Sequence, residues 1–228
     1  MSFTIVSWNM QGGSFQTDVG KATHLKSFME SGYDCICIQE ATEPLPSFSK
    51  YIGESPAGNI QVFTTPSPRM PLNSYYCYFA SWGIGNSRCS MAVYTKRETL
   101  NYHLEAYSNE ARPMLVVNLG CCIVGNVHLT SNNQTEALRE FKHYQYRMMQ
   151  CSRKLPSFIV GDFNMDWDFI SGHFLEKEQT KFHHANVPTH QSNNMLDYVY
   201  CGNPDINIKM HVSNKLYSDH FSILAVIK

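Results

Sequence analysis

The segment Ser157–Asn164 combines a short apolar run with two polar residues that could do chemistry. Phe158–Val160 is typical of a buried strand, and it leads into Gly161-Asp162-Phe163-Asn164. Residues two apart in an extended chain face the same side, so Asp162 and Asn164 would lie together. A carboxylate can accept a proton or a metal bond, and an amide can donate an N–H to an anionic oxygen. The alternative is a strand that ends in an Asx turn, where both side chains serve the backbone.

Other polar residues also stand at the ends of predicted strands, namely Asn9, Glu40, His128, Asp197, Asp219 and His220. Each of them has a plain structural explanation on its own, but together they suit metal-assisted attack on a phosphodiester. Glu40 and Asp219 would supply the hard oxygen ligands that Mg²⁺ prefers, and the ion would stabilise charge on the phosphoryl group. His220 would deprotonate the attacking water, and Asp197 would orient its imidazole.

The remaining polar groups would place the water and the phosphate. Asp162 could position the attacking water. The phosphate oxygens would be held by donors aimed at the charge that develops during the reaction. We predict this role for four residues: Asn9, Asn164, His128 and Arg88.

The first third of the chain predicts a β-helix-β unit. Strands are predicted at 3–8 and 34–38, with a helix from about Asp18 to Met29 between them and Gly32 as its C-terminal cap. A short helical crossover implies that the two strands are parallel. Their polar ends, at Asn9 and Glu40, should therefore lie at the same edge of the sheet, where α/β proteins bind ligands.

The rest of the chain predicts a mixture of strands and one long helix. We expect loops over 42–74 around a short strand at 60–63. We also expect a helix over 136–154. Its cations could bind DNA, but cations opposite an apolar stripe more often form a solvated face. The other predicted strands are 75–81, 91–95, 102–107, 114–119, 121–128, 157–162, 195–200 and 221–227. Those between 102 and 128 should be antiparallel.

Composition limits the classes of function. The 228 residues are 43% hydrophobic, enough for a packed core, and the formal net charge of −1 provides no global field that would attract nucleic acid. We expect one domain over residues 1–228. No secretory signal or membrane-spanning run is evident. The eight cysteines contain no CxxC pair, which disfavours structural zinc; we expect mostly reduced, buried thiols, with one or two disulfides as the alternative.

Five segments resemble, in order and spacing, the endonuclease/exonuclease/phosphatase superfamily, to which deoxyribonuclease I belongs. They are Trp8-Asn9-Met10-Gln11-Gly12, Gln39-Glu40, Gly161-Asp162-Phe163-Asn164, Leu196-Asp197-Tyr198 and Ser218-Asp219-His220. The chain is similar in particular to the active subunit of cytolethal distending toxins. That similarity also involves the 76–97 segment around Arg88, Arg112-Pro113 and Thr189-His190-Gln191.

The resemblance implies a fold and an activity. The fold would be a four-layer α/β/β/α sandwich of the deoxyribonuclease I type, with two packed sheets and helices outside. The activity would be Mg²⁺-dependent nicking of host DNA, with Mn²⁺ or Ca²⁺ as alternative ions, through contacts to the phosphate backbone with little sequence specificity. The implied catalytic residues are His128, Asp162, Asn164, Asp197 and His220; the metal ligands are Glu40, Asp219 and Asn9; and the substrate contacts are Arg88, Asn9, Asn164, Gln11 and Arg112.

Two departures from the family affect this hypothesis. No Asp or Glu lies between Glu54 and Glu98, whereas deoxyribonuclease I has a glutamate there that pairs with a catalytic histidine, so His128 should be less polarised. The toxin's signal peptide is also missing. The toxin resemblance implies secretion or delivery, partner subunits for delivery or receptor binding, and action in the host nucleus. If the protein is not such a toxin, we expect it to be a cytoplasmic monomer.

Two other functions remain open. The superfamily also acts on phosphoinositides and sphingomyelin, and the low net charge suits a small or membrane-borne phosphate. A catalytically inactive binding module is the second alternative. The intact set of polar residues disfavours it, because an inactive relative would be expected to have lost some of them.

Overall fold

The computed structural model describes residues 2–15, 18–45, 50–64, 75–82, 89–151 and 154–228. The strands in these ranges are β1 Phe3–Gly13, β2 Cys35–Ala41, β3 Lys50–Glu54, β4 Gln61–Thr64, β5 Tyr76–Ala80, β6 Met91–Thr95, β7 Asn101–Glu105, β8 Met114–Asn118, β9 Ile123–His128, β10 Ser157–Asp162, β11 Phe182–His183, β12 Asp197–Cys201, β13 Ile208–Leu216 and β14 Phe221–Ile227. The helices are α1 Val19–Glu30, α2 Gln134–Cys151, α3 Trp167–His173 and α4 Glu176–Gln179.

The strands form two mixed sheets. The eight-stranded sheet has the order β13-β14-β1-β2-β6-β5-β4-β3, and the six-stranded sheet has the order β11-β12-β10-β9-β8-β7. Strands β1 and β2 are parallel and joined through α1, and β9 and β10 are parallel and joined through α2. A late strand pairs antiparallel with each unit, β14 with β1 and β12 with β10. The predicted parallel pairing of the first two strands is therefore confirmed, as are the antiparallel pairs β7–β8 and β8–β9.

Three buried clusters define four layers. Between the sheets, Ile5 and Cys37 of one sheet share a cluster with Val124 and Phe158 of the other. The other two clusters each join a helix to the far face of one sheet. Around α1 the cluster includes Leu25, Phe28, Trp8, Ile36 and Tyr94. Around α2 it includes Leu138, Phe141, Val127, Ile159 and Tyr198. The α/β/β/α sandwich implied by the family resemblance is confirmed.

Local capping sets the ends of the two long helices. Asp18 caps α1 by accepting the N–H of Lys21, and Gly32 follows the helix at φ +73°, a conformation that suits glycine. Helix α2 begins two residues before the predicted position because the side chain of Asn133 accepts the N–H of Glu136 at 3.1 Å. Its cations Arg139 and Arg147 form ion pairs with Glu136 and Glu105, as expected of a solvated face; Arg153 lies outside the described residues.

Some boundaries differ from the predictions. The first strand does not end at Trp8 but continues to Gly13, with a register shift between Asn9 and Gly13 where the sequence had indicated a turn. Strands β3, β11 and β13 and helices α3 and α4 were not predicted. All three strands are sheet edges. Strand β11 has only two residues, and the side chains of β3 and β13 are exposed or half-buried, which leaves only a weak hydrophobic pattern to recognise.

The cysteine prediction is partly correct. All eight cysteines are free thiols, and Cys35, Cys37, Cys77, Cys122 and Cys201 are buried. Cys121 and Cys151 are exposed instead. Cys121 lies just before β9, and Cys151 is the last residue of α2, on the solvent side of the helix. Among the described residues, no helix has the length and apolar character needed to cross a membrane.

Candidate active site

The carboxyl ends of the two parallel pairs bring the predicted site residues together. In the six-stranded sheet, Asp162 at the end of β10 lies opposite His128 at the end of β9 and opposite Asp197 at the start of β12. In the eight-stranded sheet, Asn9 of β1 lies opposite Gln39 of β2. Strand β14 pairs antiparallel with β1, so the residues just before β14 lie at the same edge.

Asp162 is the centre of the arrangement. Its Oδ2 accepts a hydrogen bond from Asn9 Nδ2 at 2.9 Å and lies 3.7 Å from His128 Nε2 and 3.5 Å from His220 Nε2. Burial raises the pKa of this carboxyl to about 6, against the opposing charge of His220 and with help from the charge of Asp197. The carboxyl therefore sits among two imidazoles and an amide, away from solvent.

His220 and Asp197 form a buried pair. Nδ1 of His220 donates to Asp197 Oδ2 at 2.9 Å, which leaves Nε2 directed toward Asp162. Burial lowers the pKa of His220, but the charges of Asp197, Asp162 and Asp219 and the hydrogen bond to Asp197 outweigh it and raise the pKa to about 10. The pair has the base–orienter geometry predicted from the sequence.

Glu40 and Asp219, the two carboxylates among the three predicted metal ligands, contact different residues of this cluster. Glu40 Oε1 lies 3.4 Å from Asn9 Nδ2 and 3.8 Å from His128 Nε2. Asp219 Oδ2 lies 3.5 Å from His190 Nε2, while its backbone N–H donates to Gln11 Oε1 at 3.3 Å. Asp219 Oδ1 is buried and has no hydrogen-bond partner among the described residues.

Asn164 and Arg112 meet at one backbone carbonyl. The Leu129 carbonyl accepts from Asn164 Nδ2 at 2.8 Å and from Arg112 Nη1 at 3.0 Å. The N–H of Asn164 also donates to Asp162 Oδ1 at 2.9 Å, so the Asx turn considered as the alternative to a site is present within the site. Arg112 Nη1 lies 2.6 Å from His128 Nε2.

Three predicted site residues have a left-handed backbone. Gln11, Glu40 and Asn164 have φ values of 54°, 53° and 49°. This region is unfavourable for side chains other than Asn, Asp and Gly, and such conformations concentrate at functional sites. Asn164 tolerates this region, whereas the conformations of Gln11 and Glu40 are held by surrounding contacts and not by local preference.

A close strand contact lies directly beneath Asp162. Gly161 has φ +145°, and a Cβ at this position would lie 2.0 Å from the carbonyl oxygen of Val127 on the neighbouring strand. Only glycine allows β9 and β10 to approach this closely. The glycine therefore sets the spacing of His128 and Asp162.

Several supporting residues were not predicted. Ser218 accepts the indole N–H of Trp8 at 3.0 Å and donates to the Asn9 carbonyl at 2.7 Å, which ties β1 to the segment before β14. His190 packs edge-on against His220, with ring centroids 4.7 Å apart, besides contacting Asp219. The only sequence signal for His190 was its place in the segment that precedes Leu196-Asp197-Tyr198.

The structure brings most of the predicted site residues into one contact network: Asn9, Gln11, Glu40, Arg112, His128, Asp162, Asn164, Asp197, Asp219 and His220. Arg88 lies outside the described residues. Asn9 directs its amide nitrogen at the carboxylates of Asp162 and Glu40, while its oxygen accepts the N–H of Gln11 at 2.9 Å. The individual catalytic, metal and substrate roles stay predictions.

Comparison with known structures agrees with the observed fold. A Haemophilus ducreyi cytolethal distending toxin structure matches with a TM-score of 0.80 and 21% identity over 98% of this chain and 97% of that one. The corresponding toxin from Actinobacillus actinomycetemcomitans gives 0.79 and 21% over 98% and 97%. A humanised D. rerio TDP2 gives 0.66 and 12% over 100% and 99%.

The sequence comparisons assign the family. No curated protein sequence matches the chain. The model of the Endonuclease/Exonuclease/phosphatase family matches residues 6–220, which include the whole network around Asp162. The chain therefore belongs to the Endonuclease/Exonuclease/phosphatase family.

Proposed function

We propose that this protein is a divalent-metal-dependent phosphodiester hydrolase that nicks DNA in the manner of the active subunit of cytolethal distending toxins. The observation that carries the proposal is the position of His220, whose Nδ1 is bound by Asp197 at 2.9 Å and whose Nε2 faces Asp162 at 3.5 Å. Family membership and the match to the toxin fold support it.

The side chains present fit a hard divalent cation. The carboxylates of Glu40 and Asp219 provide oxygen donors, and Asp219 has a buried oxygen with no partner among the described residues. Mg²⁺, for which Mn²⁺ or Ca²⁺ could substitute, prefers such oxygens together with water and phosphate. When bound, it would stabilise the negative charge on the phosphoryl group and the leaving oxygen.

His220 acts as the general base on water in this proposal. Asp197 keeps a proton on Nδ1, so the water proton is taken at Nε2. The three carboxylates around the ring hold it protonated at neutral pH in the present arrangement, with a pKa of about 10. A cation that neutralised part of this negative charge would lower the pKa of His220, so that Nε2 could lose its proton and accept one from water. The arrangement is therefore consistent with a requirement for a cation.

Amide and guanidinium groups bind the phosphate in this proposal. Arg112 and Asn164 share the Leu129 carbonyl and lie beside His128 and Asp162. The side-chain oxygen of Gln11 accepts the backbone N–H of Asp219. We assign further phosphate contacts to Arg88 and Asn9, and DNA would be held through its backbone with little sequence preference.

A phosphoinositide phosphatase is the second candidate. The observation that favours it is the net charge of −1, which provides little long-range attraction for duplex DNA. The same base, carboxylates and phosphate donors would serve a phosphomonoester. Toxin-type delivery subunits, secretion and action in a host nucleus would follow only from the first proposal.

Conversion of supercoiled plasmid to the open circular form tests the proposed activity. We expect wild-type protein with Mg²⁺ to nick the plasmid, and His220→Ala protein purified in the same way to be at least about 100-fold slower. Equal nicking by both preparations would indicate a contaminating nuclease and would remove the support for this proposal.

A further inference from the structure

A cavity opens beside the proposed catalytic site. Its volume is about 370 Å³, within the range of about 300–1,000 Å³ that is usual for small-molecule sites. One wall is formed by Asp166 and the first residues of α3, and the other by residues 184–188 and 193–195. None of these lining residues belongs to the network around Asp162, so the cavity is a separate feature of the molecule.

Both walls of the cavity are close to the catalytic residues. Asp166 stands two residues after Asn164, so their Cα atoms are at most about 7 Å apart. On the other wall, the carbonyl of Asn194 accepts the backbone N–H of His190 at 3.1 Å. The ring of His190 packs against that of His220, with centroids 4.7 Å apart. A group bound in the cavity would therefore lie next to a phosphate bound at His220.

Trp167 provides an aromatic wall. Its half-buried ring contacts the rings of His184 and Tyr198, with centroids 4.3 Å and 6.4 Å away. His184 is held in turn by Asn186, whose backbone N–H donates to its Nδ1 at 3.3 Å. Trp167 is thus supported by the protein while it also lines the cavity. A supported aromatic ring is a platform on which a planar group can stack.

The polar groups of the cavity suit an uncharged ligand that carries N–H donors. The lining residues, all of them within the described ranges, include the carboxylates of Asp166 and Asp168 and no Lys or Arg, so the cavity repels a phosphate. Asp166 Oδ2 accepts from Gln134 at 3.0 Å and its Oδ1 accepts the N–H of Phe169 at 2.8 Å. Each oxygen keeps a further lone pair for a ligand. The exposed amide of Asn194 adds both a donor and an acceptor.

A nucleobase combines the properties that this cavity requires. It is flat and uncharged, and its edge carries hydrogen-bond donors and acceptors. The headgroup of a phosphoinositide fits less well, because its ring phosphates would meet the carboxylates of Asp166 and Asp168. A base that is paired within a duplex is not free to enter a cavity, whereas an unpaired base is.

We propose that this cavity is a nucleobase subsite, which receives an unpaired base of the strand whose phosphate lies at His220 and stacks it on Trp167. Asp166 and Asn194 bind the edge of the base. This inference rests on the proposed cleavage of DNA and adds a base contact beside the bound phosphate. Stacking accepts every base, so the subsite is compatible with little sequence preference.

Binding of short, dye-labelled single strands in the presence of chelator tests the subsite without cleavage. Fluorescence anisotropy compares a thymidine strand with a chain that has the same sugars and phosphates but no bases. We expect wild type to bind the thymidine strand about 10-fold more tightly, and Trp167→Leu to bind both strands alike. Trp167→Phe should keep the preference, and the exposed Tyr146→Leu on α2 should match wild type. Equal binding of both strands by wild type, or an undiminished preference in Trp167→Leu, would overturn the proposal.

Asn194→Ala provides a test that does not alter the packing of Trp167. The side chain of Asn194 is exposed, so the variant should keep the thermal midpoint of wild type. Its preference for the thymidine strand should fall by about 3-fold, through the loss of one hydrogen bond. An unchanged preference in this variant would contradict the proposed subsite.

Plasmid nicking distinguishes failure of this inference from failure of the proposed function. If wild type nicks plasmid but binds the two strands equally, the subsite is wrong and the nuclease activity stands. If wild type prefers the thymidine strand but nicks no plasmid, the subsite stands and the activity is wrong. Displacement of the thymidine strand by a soluble inositol bisphosphate, with an affinity that falls in Trp167→Leu, would assign the cavity to a lipid headgroup and overturn the proposal.

Discussion

Asp162 Oδ2 is the point at which three candidate site side chains meet, the amide of Asn9 and the imidazoles of His128 and His220. A buried carboxylate is stable only when it is paired or hydrogen-bonded. Asp162 satisfies this condition with Asn9 and His220, and the two histidines lie in different surroundings. His220 lies between carboxylates, and His128 lies between a carboxylate and the Arg112 guanidinium.

Removal of the proposed base should stop cleavage without unfolding the protein. We expect His220→Ala to lower the nicking rate by about 10² to 10⁴ while DNA binding persists. Asp197→Asn should lower the nicking rate less. The asparagine side-chain oxygen can still accept the Nδ1–H of His220 if the amide nitrogen takes the place of Asp197 Oδ1. Single-turnover nicking, thermal midpoint and DNA binding should be measured together.

Asp219→Ala is the matched comparison for the proposed metal ligand. Extra Mg²⁺ or Mn²⁺ should partly restore its activity, whereas no metal concentration should restore His220→Ala. A folded His220→Ala protein with nearly full activity would contradict the assigned base. If only the thermal midpoint changed, His220 would be a packing residue at the start of β14.

Local sequence predicted which residues form the site better than it predicted what supports them. Asp162, Asp197 and His220 each end or begin a hydrophobic strand, a pattern visible within ten residues. The contact of Trp8 with Ser218 joins positions 210 residues apart. The contact of His190 with Asp219 depends on how two loops meet at the sheet edge. Such pairings follow from the assembled sheets and have no local signature.

At the scale of elements, the site depends on how closely β9 and β10 approach. We expect Gly161→Ala to destabilise the protein by about 3 kcal/mol, because its Cβ would lie 2.0 Å from the Val127 carbonyl oxygen and its φ would be strained. Denaturant unfolding measures the effect. Nicking should also fall, since His128 and Asp162 end these strands.

Gly172→Ala in α3 is the control for Gly161→Ala. A Cβ at Gly172 would meet no atom within 4 Å, so alanine should be neutral or should stabilise the helix by up to about 1 kcal/mol. Similar midpoints for the two variants would contradict the proposed role of Gly161.

The packing of α1 against its sheet should make stability depend on pH. His24 is buried against the rings of Trp8, Phe28 and Tyr217. Burial and the nearby charge of Lys215 lower its pKa to about 4. The unfolded chain therefore binds a proton near pH 6.5 that the folded protein rejects. This contribution to stability is complete above about pH 6.5 and is lost as the pH falls toward 4.

His24→Phe should remove this dependence while it keeps an aromatic ring in place. We expect its thermal midpoint to fall less than that of wild type between pH 7 and pH 4.5. The exposed His211→Gln variant should follow wild type. Parallel curves for His24→Phe and wild type would show that His24 does not contribute to acid sensitivity.

The elements that the sequence predicted correctly are those with a strong hydrophobic period. Strands β2, β6 and β10 are buried along their length, and α2 has an apolar face. Strands β3 and β13 are sheet edges with exposed residues along their length, so their patterns are weak. The bulge in β1 was taken for a turn because glycines are typical of both.

At the scale of the whole molecule, two parallel β-α-β units face each other across one core, and their strand ends form a single site. The balance of 18 Lys and Arg against 19 Asp and Glu gives the protein no general affinity for polyanions. Substrate choice must therefore depend on this site and its rim. The side chains at this site and its rim would therefore have to distinguish DNA from a lipid phosphate.

Cleavage of plasmid DNA measured beside release of inorganic phosphate from a phosphoinositide, each with Mg²⁺ and with excess chelator, tests the central claim most directly. The proposed function predicts Mg²⁺-dependent nicking that chelator abolishes, with little phosphate release. Chelator-sensitive phosphate release from the phosphoinositide without nicking of the plasmid would contradict a DNA-nicking function and assign the same site to a phosphatase.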